Sequence, residues 1–336
     1  MKYVVFLGDG MADVPVPELN GKTPLDVAEH PGMDRMARDG LFGMVRTIPE
    51  GMSPGSDTAN LAVFGYDPKI YYSGRSPLEA ASIGIELDAA DVTYRCNLVT
   101  LSQAQSLEAS VMVDYSAGEI SSAEARELVD AVNARFATPS VRLYPGVSYR
   151  QCLVLRDAQT GAQLTPPHDI SGQDVRGRLP RGENAPLLRE MMEFAYRTLG
   201  SHPINLARER AGKHPANAIW FWGEGRRPAL APFHEMRGVR GGVISAVDLI
   251  QGIGKCAGMR VIRVEGATGN YRTNFAGKGR AAIDALSTDC DLVYIHIEAP
   301  DECGHQCQIR EKVYAIEQID AHIVRPVLAY LDGTGD

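Results

Sequence analysis

Residues 294–305 read Tyr294-Ile295-His296-Ile297-Glu298-Ala299-Pro300-Asp301-Glu302-Cys303-Gly304-His305, and this stretch closes the apolar run 291–297. Leu292, Val293, Ile295 and Ile297 make that run short, apolar and β-branched, the texture of a strand buried on both faces of a parallel sheet. Asp301 and His305 follow at once, with Gly304 expected to let the backbone turn tightly between them. A carboxylate and an imidazole just past the carboxyl end of a buried strand stand where open α/β sheets place their ligands. A surface turn with an ordinary Asp and His is the alternative that these residues alone leave open.

Two further stretches share that address. Residues 3–7 form a second apolar strand-like run, and Gly8-Asp9-Gly10 follows it. Asp-Gly is common in turns, yet two carboxylates at equivalent strand ends suggest one shared site. The third stretch is Ser53-Pro54-Gly55-Ser56-Asp57-Thr58-Ala59-Asn60-Leu61-Ala62-Val63. Ala59, Ala62 and Val63 have helical spacing, with Gly65 and Pro68 as stop signals, which puts Ser56 at a helix amino terminus. Ser56 serves there either as an N-cap or as a nucleophile. The free N–H groups and positive dipole end that favour capping also favour a serine alkoxide or a phosphoserine. No histidine lies near in sequence, so a metal is the expected activator rather than a Ser-His pair.

The bulk properties bound the rest. A chain of 336 residues suggests one large or two smaller domains. A hydrophobic content of 44% and a charged content of 23% are ordinary for a globular protein. A net charge of -8 argues against nucleic acid as a generic partner, and an anionic substrate would need locally concentrated positive charge. No apolar run approaches the roughly 20 residues that span a bilayer, and the amino terminus lacks a signal-peptide pattern. No membrane partner and a cytoplasmic location are therefore expected. Six scattered cysteines fit reduced thiols better than a disulfide framework. Cys303, Cys307, His305 and Asp301 are too crowded along the chain for an unstrained tetrahedral zinc site.

In chain order, residues 31–38 read as a short helix, 41–47 as a strand and 77–83 as a short helix. From Thr93 the texture changes. Residues 94–101 and 107–113 alternate like antiparallel strands, and 121–136 is a helix opened by a Ser121/Glu124 capping box. Residues 141–156 read as two strands around Pro145-Gly146, 184–199 as a helix capped by Asn184, and 218–222 as a strand. Residues 223–232 look like a linker. The doubly wound texture then resumes with a helix at 245–252, a strand at 259–264, the turn Gly266-Ala267-Thr268-Gly269 and a helix at 276–286. Residues 311–331 read as one long helix with a single buried face. The expected fold is α/β. A doubly wound, mostly parallel core (1–85 and 233–336) holds an inserted α+β domain (86–232).

Taken together, Gly8-Asp9-Gly10, the 54–60 stretch, Pro145-Gly146-Val147-Ser148-Tyr149-Arg150 and Asp301-Glu302-Cys303-Gly304-His305 resemble the archaeal-type cofactor-independent phosphoglycerate mutases of the alkaline phosphatase superfamily. Arg95-Cys96-Asn97, Pro167-His168-Asp169 and Trp222-Gly223-Glu224-Gly225 extend the likeness over the whole chain, in the family's order. The resemblance implies the alkaline-phosphatase-like fold and an isomerase interconverting 3-phosphoglycerate and 2-phosphoglycerate through a phosphoserine. It implies two divalent metal ions, manganese or zinc, and no 2,3-bisphosphoglycerate. Asp9 and Ser56 match ligands of one metal, Ser56 also the nucleophile, and Asp301 and His305 ligands of the other. The inserted domain is expected to close over the site and keep water from the phosphoserine.

For the small phosphorylated substrate, Arg95 and Arg150 are the candidate bidentate clamps. Asn97 and Asp114 are candidate polar partners, and each arginine reads equally as an ordinary surface ion pair. Lys278 and Arg280 follow the glycine turn; Lys278 is either a phosphate contact or a solvated helix residue. His168 is expected to be structural. The family carries a further Asp-His pair on a strand after the last long helix, and another His beyond it. Thr334-Gly335-Asp336 only imitates the start of that motif, and Asp336 is read as part of a turn. The expectation is a core incomplete at its carboxyl end, or an impaired relative short of metal ligands. A phosphohydrolase or a homoserine-kinase-like phosphotransferase on the same scaffold, and a silent binding protein, are the alternatives. The oligomeric state has no signal.

Overall fold

The computed structural model describes residues 1–52 and 54–335. Its strands in chain order are β1 (Tyr3–Gly8), β2 (Val92–Leu101), β3 (Met112–Asp114), β4 (Val141–Tyr144), β5 (Arg150–Leu155), β6 (Ala162–Gln163), β7 (Arg181–Gly182), β8 (Ala218–Arg226), β9 (Gly241–Ile244), β10 (Arg260–Ile262) and β11 (Leu292–Ile297). The chain separates into two compact units, one of Met1–Tyr72 with Ala229–Asp336 and one of Ser73–Pro228.

The first unit is built on a four-stranded sheet in the order β1-β11-β9-β10, parallel at every pairing. The apolar runs 3–7 and 291–297 are thus neighbours, Leu7 opposite His296 and Gly8 opposite Ile297. Their carboxyl ends therefore finish side by side. Val293, Ile295 and Ile297 of β11 are buried among Ala282, Leu286, Ile319, Ile323 and Val327 from the covering helices.

The last helical region departs from the expected single rod. It runs as Ile309–Ile319, a π turn at Asp320–Val324, and Arg325–Thr334. Pro326 supplies the reason, because it has no N–H to give the His322 carbonyl one turn back. That carbonyl lies against Gly279 instead, where a Cβ would sit 2.2 Å from the oxygen. In the same turn, buried Asp320 accepts from the Gly32 and Met33 N–H groups at 3.2 and 2.8 Å and pairs with Arg325. It thereby satisfies the open end of the Pro31–Asp39 helix. Asp336 lies outside the described residues.

The second unit is antiparallel. β2 pairs with β5 over its first six residues, β5 pairs with β4, β8 pairs with the other edge of β2, and β3 joins the far end of β2. Every residue of β2 is buried. The Ser121/Glu124 capping box opens the Ser122–Phe136 helix as expected.

Several boundaries differ from the sequence reading. Residues 41–47 form no strand; Leu41, Phe42, Met44 and Val45 are exposed, and a strand without a partner has no ladder to hold it. Residues 107–113 hold only a short 3₁₀ turn and β3. Asn184 does not cap its helix. It takes a left-handed φ of 58°, and its amide donates to the Tyr94 hydroxyl and the Gln159 carbonyl. β8 continues to Arg226, into the stretch read as linker. No helix among the described residues is long and apolar enough to cross a membrane.

The two crowding extremes of the terminal region give a paired test. Gly279→Ala is expected to destabilise by about 1–3 kcal/mol through overpacking. Gly333→Ala, with open space around it in the last helix, should stabilise by up to about 1 kcal/mol. Thermal melting of both variants checks the opposite signs.

Candidate active site

Asp9 stands one residue past β1, its N–H donating to the Ile297 carbonyl at the end of β11 at 2.9 Å. Asp301 lies in the helix Ala299–His305 that follows β11. What brings the two together is Gly10. Its φ is +64°, and a Cβ there would meet the Asp301 Cα at 2.4 Å and its Oδ1 at 2.8 Å. Only a residue without a side chain permits that approach. The consequence is electrostatic. Burial pushes the Asp301 carboxyl above the usual carboxylate range, and the negative charge of Asp9 pushes it further, while His305 pulls the other way.

Gly304 does not make the tight turn expected of it. Asp301 and His305 are instead one helical turn apart on one face, Oδ2 to Nε2 at 3.4 Å, with the His305 side chain 75% exposed. The loop after Asp9 is pinned separately. Lys312, nearly buried, pairs with Asp13 and reaches the Ala12 carbonyl.

Ser56 opens the Ser56–Val63 helix as its first helical residue, behind Gly55. The N-cap position belongs to Gly55, and the Thr58 N–H is taken by Asp57 Oδ1 at 2.9 Å. The Ser56 hydroxyl is therefore not spent on capping. Asp57 is nearly buried and accepts from the Tyr72 hydroxyl at 2.7 Å. Asn60 ties this helix to the sheet, donating to the Ser56 carbonyl at 2.8 Å and accepting from the Tyr294 hydroxyl at 2.6 Å. Phe64 stacks on the Tyr294 ring at 4.1 Å. Ser56 and Asp9 consequently line one cleft of about 270 Å³, with Leu7, Thr47, Ile48, Gly55 and Asn60. Asp9 thus shares a cleft with Ser56 on one side and lies beside Gly10, against Asp301, on the other.

His296 is the site residue that sequence reasoning passed over. It points from β11 to Asp9, Nε2 to Oδ2 at 3.2 Å, and is almost fully buried. Its Nδ1 faces the Ser245 hydroxyl at 3.2 Å, and that hydroxyl oxygen accepts from the Val247 N–H at 3.0 Å. The Asp9 carboxylate can only accept, so Nε2–H donates to it, while Nδ1 faces the Ser245 hydroxyl. The signal available in sequence was a polar residue inside an otherwise apolar strand. Lys278 is buried as well, not a solvated helix residue. Its ammonium donates to the His296 carbonyl at 3.3 Å, and burial pulls its pKa down to about 8 against the opposing charge of Glu298.

The two arginines named from sequence as clamps, Arg95 and Arg150, lie in the second unit. Arg95 and Asn97 alternate along β2, with Arg150 opposite Asn97 on β5 and Trp222 opposite Arg95 on β8. The Arg95 guanidinium lies over the Trp222 ring at 4.1 Å, and its Nε forms an ion pair with Glu79 at 2.9 Å. Burial pulls the Arg95 pKa to about 10, with Glu79 opposing and Arg75 and Arg150 adding to the pull. Arg150 Nε is buried without a hydrogen-bond partner. Such an orphan donor is costly unless a ligand meets it.

The two polar candidates are engaged within the unit. Asn97 donates to the Tyr115 carbonyl and accepts from Trp222 Nε1, both at 2.9 Å. Asp114 accepts from Ser116, Gly118 and His214. Burial raises its carboxyl, but these bonds hold it below the usual range. His168 packs edge-on to Trp222 and Tyr115.

Among the described residues, no three His, Cys, Asp or Glu side chains are grouped so that they could hold a metal ion. Carboxylate and hydroxyl oxygens with an imidazole are donor types that manganese and zinc accept. The mutual repulsion of Asp9 and Asp301 is what a divalent cation would relieve.

Gly10→Ala tests the convergence. A Cβ at that φ and that distance from Asp301 should lower the melting temperature by several degrees, equivalent to about 2–4 kcal/mol from strain and overpacking. A melting temperature equal to wild type would show that the approach tolerates a side chain.

The family model for 2,3-bisphosphoglycerate-independent phosphoglycerate mutase matches residues 37–205. A Geobacter sulfurreducens protein named "Probable 2,3-bisphosphoglycerate-independent phosphoglycerate mutase" is 53% identical over 335 residues, 100% of this chain and 83% of that relative. Among solved structures, the fold is similar to a Pyrococcus horikoshii protein with a TM-score of 0.77 at 31% identity, covering 98% of this chain and 78% of the other. It is also similar to the cofactor-independent phosphoglycerate mutase of Thermoplasma acidophilum, with a TM-score of 0.63 at 27% identity, covering 99% and 85%. By sequence over its whole length, and by fold, the chain belongs to the 2,3-bisphosphoglycerate-independent phosphoglycerate mutases.

Proposed function

We propose that this chain isomerises 3-phosphoglycerate and 2-phosphoglycerate through a phosphoryl group carried on Ser56, without 2,3-bisphosphoglycerate. The observation that carries the reading is the cleft shared by Ser56 and Asp9, with a serine hydroxyl at a helix start that capping does not consume. In the first half-reaction the Ser56 oxygen bonds to phosphorus as the bond to the substrate's C3 oxygen breaks. The hydroxyl proton lost by serine is balanced by the one the glycerate gains. In the second half, the C2 hydroxyl oxygen takes the phosphoryl group and Ser56 recovers its proton. Nothing is consumed, so no further cofactor enters the balance.

This chain's own groups act at each step. The first-turn N–H groups of the Ser56–Val63 helix and its positive dipole end favour the serine alkoxide and the phosphoserine. The Asn60–Tyr294 bond holds that helix start in place. The Ser245–His296 pair orients the Asp9 carboxylate. Asp9, Ser56, Asp301 and His305 are the residues that would hold two divalent ions, manganese or zinc. Such ions, when bound, supply charge neutralisation for attacking and leaving oxygens of an in-line transfer. Arg95 and Arg150 are assigned to the substrate's carboxylate and phosphate, Arg150 through its unpartnered Nε. Asn97 and Asp114 position their surroundings, and Lys278 braces the His296 backbone. A small phosphorylated metabolite as substrate goes with a cytoplasmic, glycolytic role.

The test is isomerisation of 3-phosphoglycerate by the chain with added manganese, beside Ser56→Ala. The wild type is expected to form 2-phosphoglycerate, and Ser56→Ala to lose roughly three orders of magnitude or more in turnover, as loss of a nucleophile does. Phosphate recovered on Ser56 from acid-quenched turnover would support the intermediate. Turnover surviving in Ser56→Ala would overturn it.

A further inference from the structure

Within the second unit, Glu79 makes contacts that the substrate assignment does not explain. It is the fourth residue of the Ser76–Ser82 helix, and its side chain is only 17% exposed. Its two carboxylate oxygens are divided between two guanidiniums. Oε1 accepts from Arg75 Nε at 2.9 Å, and Oε2 forms an ion pair with Arg95 Nε at 2.9 Å. Arg75, Arg95 and Arg150 all act on it, and their charges outweigh burial, so its carboxyl is held below the usual range. It is therefore an anion at neutral pH, set inside a group of arginines that would otherwise repel one another.

The Arg95 guanidinium is fixed from three sides. Glu79 holds its Nε, the Trp222 ring covers its face at 4.1 Å, and Gly223 lies along its stem. Trp222 is itself held, because its Nε1–H donates to Asn97 Oδ1. Gly223, at φ +61°, sits where the β2–β8 register shifts between Thr93 and Arg95, and a Cβ there would come 3.3 Å from Arg95 Cδ. The fixing uses the Nε edge and the π face. The two Nη groups of Arg95 make no hydrogen bond among the described residues. They are the pair of donors that meets a carboxylate or a phosphate with two parallel bonds.

We propose that Glu79 is a positioning residue for substrate binding, acting through Arg95 and Arg75. It spaces the two guanidiniums and locks Arg95 against Trp222, so that the Nη donors are presented in one fixed orientation to an oxyanion of the phosphoglycerate. The gain is preorganisation: side-chain order is imposed before the ligand arrives. The inference rests on the mutase reading above.

Two explanations of Glu79 make opposite predictions. If it only neutralised charge, Glu79→Gln would leave three guanidiniums less compensated, and an anion would bind more tightly. If it positions, the same variant loosens Arg95, and an anion binds more weakly. The experiment titrates wild type, Glu79→Gln and Arg75→Gln with 3-phosphoglycerate, following tryptophan emission, because Trp222 lies on the guanidinium concerned. Steady-state isomerisation is measured in parallel. Arg75 is part-exposed at the helix start, so its variant reports on the spacing should Glu79→Gln fold poorly.

The expected result is a rise of about 10-fold in both Kd and KM for each variant, with kcat within about threefold, as loss of uniform binding gives. Unchanged or tighter binding by Glu79→Gln, or unchanged binding by Arg75→Gln if the first variant does not fold, would overturn the proposal. Wild type that neither binds nor isomerises 3-phosphoglycerate would instead overturn the mutase reading beneath it. A fall in kcat at unchanged KM would also count against positioning for binding.

Discussion

The close approach of Gly10 to Asp301, one residue from Asp9, sets the terms for the first unit. Asp9 and Asp301 come from strands that are adjacent and parallel, so register alone delivers both to one end of the sheet. Gly10 then removes the last obstacle, since any Cβ would strike the Asp301 backbone. Isolated carboxylates prefer water and distance from like charge, and the upward shift at Asp301 records that both preferences are denied. The arrangement is stable only because the sheet and the 299–305 helix over-determine it.

Around this pair the supporting groups are polar and buried. His296 and Ser245 pass a single orientation to the Asp9 carboxylate, and Asn60 with Tyr294 passes one to the start of the serine helix. The second unit applies the same principle with the opposite sign. There a carboxylate, Glu79, orders guanidiniums, and an indole and a glycine finish the enclosure. In both units the groups that would touch a reactant are held by neighbours whose own hydrogen bonds are satisfied, which is how geometry is fixed before binding.

How much of this the sequence disclosed follows from the range of each signal. β1 and β11 were legible because a buried parallel strand is a continuous apolar run, and Asp9 and Asp301 because they immediately follow such runs. Ser56 was legible through helix periodicity and the glycine behind it. The Gly304 turn was misplaced because glycine suggests a bend, whereas Pro300 at a helix start and the four-residue spacing of Asp301 and His305 were the better guide. The broken terminal helix had its own marker in Pro326, outweighed in the reading by the apolar face. Residues 41–47 show the converse: strand-like composition without a pairing partner. His296 and Glu79 were hidden for a common reason. Their roles are made by neighbours about 50 and 290 residues away for His296, and by a guanidinium on another element for Glu79, and no local pattern encodes such contacts.

The central proposal is that Asp9 and Asp301 each help to hold a divalent cation, Asp9 with Ser56 and Asp301 with His305. Calorimetric titration of the chain with Mn²⁺, set beside Asp9→Asn and Asp301→Asn, tests it most directly. Saturable binding by the wild type, weakened by about 10-fold or more in either variant, is what the account predicts. Manganese binding that is absent from the wild type, or equal in all three proteins, would contradict it.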